Sequence, residues 1–169
     1  ALATIAASLA ATELGLSTVF LSARRSPLSK RRWYASAEGA AAVAELANRL
    51  LTEVQSGRLV RAAVLIEHVT EFNGGEAEFP LDQLIKAVLR EDGFVVGEAE
   101  TSTWGQAWTL AQPFKAGRRG ILLVPGELDG DSLLGTPLGR LRRSDFPPGR
   151  GFLIQGGRAQ KLQIAEGRQ

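Results

Sequence analysis

Leu2, Ile5, Leu9 and Leu14 recur at helical spacing through an alanine-rich opening, which predicts a helix over residues 1–14 closed by Gly15. Ser17 to Ser22 then reads as a short buried strand, and Arg24 to Trp33 as a basic loop broken by Pro27. Val43, Leu46, Leu50 and Val54 define the inner face of a second helix over residues 37–54, ended by Gly57. Leu59 to Ile66 is the strongest strand in the chain, and its continuous apolar run suits a central parallel strand covered on both faces. Residues 70–79 are polar, contain Gly74-Gly75 and read as a loop. Leu81, Leu84, Ile85, Val88 and Leu89 follow the spacing of one helical face. A strand at Phe94-Val95-Val96 is expected next, then a helix over residues 104–114, then a buried strand at residues 121–124 closed by Pro125-Gly126. The chain turns irregular after Asp129-Gly130-Asp131. Strands at residues 152–155 and 161–165, flanking Gly156-Gly157, form a hairpin signal.

Alternating helices and fully apolar strands imply an α/β fold: a mainly parallel, doubly wound sheet flanked by helices, with a C-terminal β-hairpin, in a single domain over residues 1–169. Composition adds exclusions. With 44% apolar and 22% charged residues the chain is not disordered. Its longest apolar run is about a dozen residues, short of a membrane span. The absence of cysteine excludes a disulfide framework, a cysteine zinc site and a thiol nucleophile, and a single histidine excludes a His-rich metal site.

Net charge is only +2, but the basic residues are clustered. Arg24, Arg25, Lys30, Arg31 and Arg32 precede Trp33-Tyr34, and Arg140, Arg142, Arg143, Arg150 and Arg158 crowd the last part of the chain. Arginine favours bidentate contacts to phosphate or carboxylate, so Arg24, Arg25, Arg31 and Arg32 are candidates for a nucleic-acid backbone, against a solvated surface as the alternative. The chain opens on Ala1 inside a predicted helix and reads as a piece of something longer.

In folds of this class the functional groups sit at the carboxyl ends of the strands. The central strand ends in Val64-Leu65-Ile66-Glu67-His68, an apolar run closed by an acid, which is the form of a Walker B element. Glu67 is the candidate for the water shell of a Mg²⁺ ion, and His68 occupies the place of the acid that activates water; an exposed strand end is the plain alternative. No G-x-x-x-x-G-K-[ST] loop occurs in the chain; its usual place would lie just upstream of Ala1. Glu71, Glu76, Glu78 and Asp82 read as a solvated acidic loop, since calcium-loop spacing is missing. Trp104 and Trp108, four apart on one helix, read as packing residues, and Arg118 or Arg119 as a candidate arginine finger.

The order of these segments resembles the FtsK/SpoIIIE family of P-loop ATPases, in particular the divergent copies in actinobacterial type VII secretion (EccC-like) proteins. The likeness rests on Ala1-Leu2-Ala3-Thr4-Ile5-Ala6 as the helix after Walker A, on Phe20-Leu21-Ser22-Ala23-Arg24-Arg25-Ser26-Pro27-Leu28, on Val64 to His68 at Walker B, and on Leu133-Leu134-Gly135 with Phe146-Pro147-Pro148-Gly149-Arg150-Gly151. It implies a RecA-like P-loop NTPase core, cut just after the P-loop, that binds ATP and Mg²⁺. It also implies neighbouring ATPase domains in a hexameric ring, DNA or a secreted protein as substrate, and a cytoplasmic location with membrane attachment only through segments outside this chain. The departures are Glu67 where an Asp is usual, His68 in place of the second acid, and Ala99-Glu100 where the family carries its polar sensor, leaving Thr101 and Ser102 as the sensor candidates. Three altered positions imply hydrolysis that is weakened or lost, or a degenerate module that binds partner domains or substrate peptide.

Overall fold

A computed structural model describes residues 1–11 and 15–164, without the side chains of Ala10, Trp108 and Arg143. The described chain forms two compact units, residues 2–111 and residues 112–164 with Ala1.

The first unit is built on a parallel sheet of β1 (Ser17–Ser22), β2 (Ala35–Glu38), β3 (Ala62–Glu67) and β4 (Phe94–Gly97), in the order β2-β1-β3-β4. The apolar run that predicted a central strand is β3, with five of its six residues buried. Side chains alternate across a strand, so paired Phe20 and Leu65 face one side, while Val19, Leu21, Val64 and Ile66 face the other. On the Phe20 side lies α1 (Leu2–Ala11), which contributes Leu2 and Ala6 to a cluster with Phe20 and Leu65. Helices α2 (Ala40–Gln55) and α3 (Glu78–Arg90) are in contact with one another; α2 buries Val43, Leu46, Leu50 and Val54, and α3 buries Leu81, Leu84, Ile85 and Val88.

Two departures of this unit from the sequence pattern have local causes. β2 takes Ala37 and Glu38, assigned above to the start of a helix, together with Ala35 and Ser36 before them. Gly39, at φ 83°, separates Ala35–Glu38 from α2, and its N–H bonds back to the Ser22 carbonyl, so the segment before it is free to pair with β1. The helix expected over residues 104–114 begins later, as α4 (Trp108–Gly117), after a short 3-10 turn at Thr101–Thr103. Trp104 therefore precedes the helix that begins at Trp108, and the two residues do not lie on one helix. Leu14, part of the predicted first helix, lies outside the described residues.

The second unit holds β5 (Arg119–Leu123), β6 (Arg150–Gln155) and β7 (Arg158–Gln163) in an antiparallel sheet, order β5-β6-β7. The hairpin is present, with Gly156 and Gly157 both at positive φ, the geometry of a two-residue type I′ turn; Ala165, the predicted last strand residue, lies outside the described residues. β5 corrects the expectation of a further strand in the doubly wound sheet: it pairs with β6, residue for residue from Arg119↔Gln155 to Leu123↔Gly151. Gly151 permits this, since a Cβ there would collide with the Leu122 carbonyl oxygen. The segment expected to be irregular after Asp129 contains α5 (Asp129–Leu134). Its Leu134 joins Leu122, Phe146, Phe152 and Ile154 in the core of this unit. Among the described residues no helix is long and apolar enough to cross a membrane.

Candidate functional site

The parallel sheet brings the carboxyl ends of β1, β3 and β4 side by side. Ser22 pairs in register with Glu67, and the fully buried Ser22 hydroxyl donates to Glu67 Oε2 at 3.1 Å. Among the described residues the other carboxylate oxygen, Oε1, accepts no hydrogen bond. The same Ser22 oxygen accepts the Arg24 backbone N–H at 3.3 Å, which starts the basic loop directly over the strand end. From there the Arg24 guanidinium reaches Glu71 in a two-pronged ion pair, Nε to Oε2 at 2.8 Å and NH2 to Oε1 at 2.7 Å. Glu71 stands on the 3-10 turn Val69–Phe72 that follows β3.

His68 links the strand to that turn in the left-handed region, at φ 54° and ψ 42°, a conformation that costs a residue with a Cβ of the order of 1–2 kcal/mol. Its N–H donates to the Glu98 carboxylate at 3.3 Å, and its ring Nδ1 lies 3.9 Å from Glu71 Oε1 and 3.9 Å from Glu98 Oε2. Glu98 follows directly on β4, whose Gly97 pairs with Ile66. The strand ends therefore carry a continuous chain of polar contacts, Glu67–Ser22–Arg24–Glu71–His68–Glu98. Just outside it, the Thr103 hydroxyl donates to the Glu100 carbonyl at 2.8 Å and so accepts from the Thr70 hydroxyl at 2.7 Å, tying the turn after β4 to the turn after β3.

The structure thus joins Glu67 to Ser22 and His68 to two carboxylates. Thr101 and Ser102 lie on the turn after β4 but make no side-chain hydrogen bond among the described residues; Thr103 makes the connecting one. Of the basic loop, Arg24 is engaged by Glu71, and Arg31 reaches the Ala3 carbonyl at 3.5 Å. Arg25 sits close enough to Glu38 to help hold its carboxyl below the usual range, after the larger effect of the Ser26 N–H and a further one from the Ser29 hydroxyl. Arg32 is exposed. Trp33 is committed to packing: its ring stacks on Phe20 at 5.2 Å and its Nε1 donates to the Leu28 carbonyl. Arg118 spends its guanidinium on the Gly135 carbonyl at 2.6 Å, whereas Arg119 is exposed at the start of β5. The acidic stretch is no uniform solvated loop. Asp82 is buried on α3 and pairs with Lys86 at 2.7 Å, and Glu78 accepts the Gly74 N–H.

Sequence reading missed Ser22, Glu71 and Glu98 as members of this cluster. The available signal for Glu98 was its place, one residue beyond an apolar strand, matching Glu67. Glu71 and Ser22 carry no sequence signal, because their roles come from the register of β1 on β3 and from the turn after it.

For the ATP and Mg²⁺ that the resemblance implies, Glu67 fits one part: a carboxylate oriented by a buried hydroxyl, with one oxygen left for a hydrated cation. The phosphate grip is not supplied by these residues, since no G-x-x-x-x-G-K-[ST] loop occurs in the sequence. Among the described residues no group of three or more His, Asp or Glu is placed to hold a metal ion directly. These residues alone do not make a nucleotide site. Comparison with family models, with curated proteins and with solved structures gives no match to the chain.

Proposed function

We propose that this chain is an ATPase-type α/β domain of an FtsK/SpoIIIE-like translocase, with a RecA-like core, in which hydrolysis is weakened or lost. The observation that carries the reading is the end of β3. Glu67 stands where an acid would order a Mg²⁺ water shell, and the next residue is His68, left-handed and flanked by Glu71 and Glu98. An imidazole whose Nδ1 faces two carboxylates is ill suited to replace a carboxylate that positions an attacking water; losing a positioned base costs typically about 10²–10⁴ in rate. On this reading the parent protein assembles with neighbouring ATPase domains, as a hexameric ring, around DNA or an exported protein on the cytoplasmic side of a membrane.

The same His68 geometry favours a second reading, a degenerate ATPase-fold module that docks on neighbouring domains or a substrate peptide. Mg²⁺-dependent ATP hydrolysis by the polypeptide that carries these residues tests both, in the unaltered form and as Glu67→Gln and His68→Glu. Little turnover, changed less than about twofold by Glu67→Gln, supports lost or residual hydrolysis. A drop of about 10² or more with Glu67→Gln, from a robust starting rate, overturns it in favour of a working motor.

A further inference from the structure

The second unit ends in a sheet edge to which no other described strand is paired. The sequence divides by charge: residues 2–111 hold ten Arg and Lys against thirteen Asp and Glu, net −3, and residues 112–169 hold ten against five, net +5. In the second unit β7 is the edge strand, exposed at five of its six positions. The Ile164 N–H bonds inward to the Gly149 carbonyl at 2.8 Å. Antiparallel ladders turn alternate residues inward and outward, so Leu162 and Gln160 face β6 with their backbones while Ala159, Lys161 and Gln163 face out. No other described backbone group bonds to those three.

At the carboxyl end of this edge lies an open cleft of about 540 Å³ lined by Ser144, Asp145, Arg150, Lys161, Leu162 and Gln163. Arg150 is aimed across β7 rather than left loose. Its Nε donates to Gln163 Oε1 at 3.2 Å, and the Gln163 amide is itself anchored, Nε2 donating to the Pro148 carbonyl at 3.1 Å. Gly149, at φ 78°, makes room for that anchor, since a Cβ there would lie 2.8 Å from Gln163 Nε2. Among the described residues the two terminal nitrogens of the Arg150 guanidinium have no partner, and neither has the Lys161 ammonium. With Asp145 also lining it, the cleft carries a net charge of one positive unit. That balance suits a single carboxylate, which a guanidinium fork meets in a bidentate pair, better than a phosphate dianion.

We propose that the edge of β7 binds an extended acidic peptide segment, which adds as a further strand against Ala159, Lys161 and Gln163 and places one carboxylate in the cleft on Arg150 and Lys161. The backbone edge supplies pairing and the cleft supplies selectivity for acid. The proposal concerns the second unit alone and stands apart from the ATPase-type reading.

A labelled extended peptide alternating Glu with Thr, titrated into the 169-residue chain by fluorescence anisotropy, tests it. Three comparison probes are the same peptide with Gln for Glu, the peptide N-methylated at alternate amides, and inorganic phosphate as competitor. The Glu peptide is expected to bind, more weakly as salt rises. The Gln peptide, the N-methylated peptide and the variants Arg150→Gln and Lys161→Gln should each weaken binding by about tenfold or more, and Arg150→Lys by less. Both substituted positions are exposed, and an unchanged circular dichroism spectrum and melting curve shows that the variants are folded. Equal binding of the Glu and Gln peptides overturns the carboxylate assignment. Undiminished binding of the N-methylated peptide overturns strand addition. Full displacement by phosphate in place of competition only through ionic strength, or no binding of the Glu peptide, overturns the proposal as a whole.

Discussion

Ser22 shows how a residue of ordinary chemistry acquires a role from its neighbours. Its hydroxyl is fully buried and donates to a carboxylate, so Ser22→Ala removes a charge-assisted bond and leaves Glu67 less firmly oriented. The expected cost is about 1–2 kcal/mol in urea unfolding, with the slope of the transition unchanged. Asp82 and Lys86 give the opposite lesson. The Asp82 side chain is 7% exposed and its Oδ1 has no hydrogen bond among the described residues, while Lys86 is 51% exposed. Removing only the lysine leaves a buried charge with one weak partner, Gln83. Lys86→Ala should therefore cost about 1–2 kcal/mol, discounted for the lysine's exposure, and the double variant Asp82→Ala/Lys86→Ala should recover part of that loss. Equal stability of the single and double variants would show that the carboxylate carries no burial penalty. Neither partner in these pairs could be chosen from the sequence, where Asp82 is one acid among several and Ser22 one small residue at a strand end.

Among the elements, the best legible were those whose burial is continuous or periodic. β3 and α3 declare themselves because each has a face, or two, that must leave water. Leu84, fully buried between α3 and its neighbours, should cost about 2–5 kcal/mol as Leu84→Ala, read by chemical denaturation. β2 was not legible. Ala35-Ser36-Ala37-Glu38 has neither β-branched residues nor alternation, and it is a strand because β1 offers it an edge and Gly39 ends it. β5 had the right strand character but the wrong partner, because nothing in Arg119–Leu123 encodes whether its neighbour runs parallel or antiparallel. The partner is selected by close approach at Gly151. Gly151→Ala should accordingly cost about 1–3 kcal/mol in the β5–β6 pairing and loosen hydrogen-exchange protection across residues 119–123.

At the scale of the molecule, stability should depend on acid through Glu38. This carboxylate accepts the Ser26 N–H at 2.7 Å, and that bond, with Ser29 and the nearby Arg25 and Lys30, holds its pKa below the ordinary 4.5. A depressed folded pKa contributes stability above the unfolded value and loses it as pH falls through the folded one. Stability from this group is therefore whole at neutral pH and falls away below about pH 4.5. Glu38→Gln keeps an acceptor for Ser26 but removes the titration, so its melting temperature should change less than that of the unaltered protein between neutral pH and pH 3 or so. An identical acid sensitivity in both would remove Glu38 from the account. The α/β class, the central strand, the amphipathic helices, the Gly156-Gly157 hairpin and the acid at the end of β3 are all legible without coordinates, because each follows from local periodicity, turn chemistry or composition. The long-range packing settles that β5 leaves the parallel sheet, that Ser22, Arg24, Glu71, His68 and Glu98 continue in one chain of contacts from Glu67, and that Arg150 is held across an open edge. Those outcomes depend on strand register and on contacts between residues distant in sequence, which no local pattern of apolar and polar positions encodes.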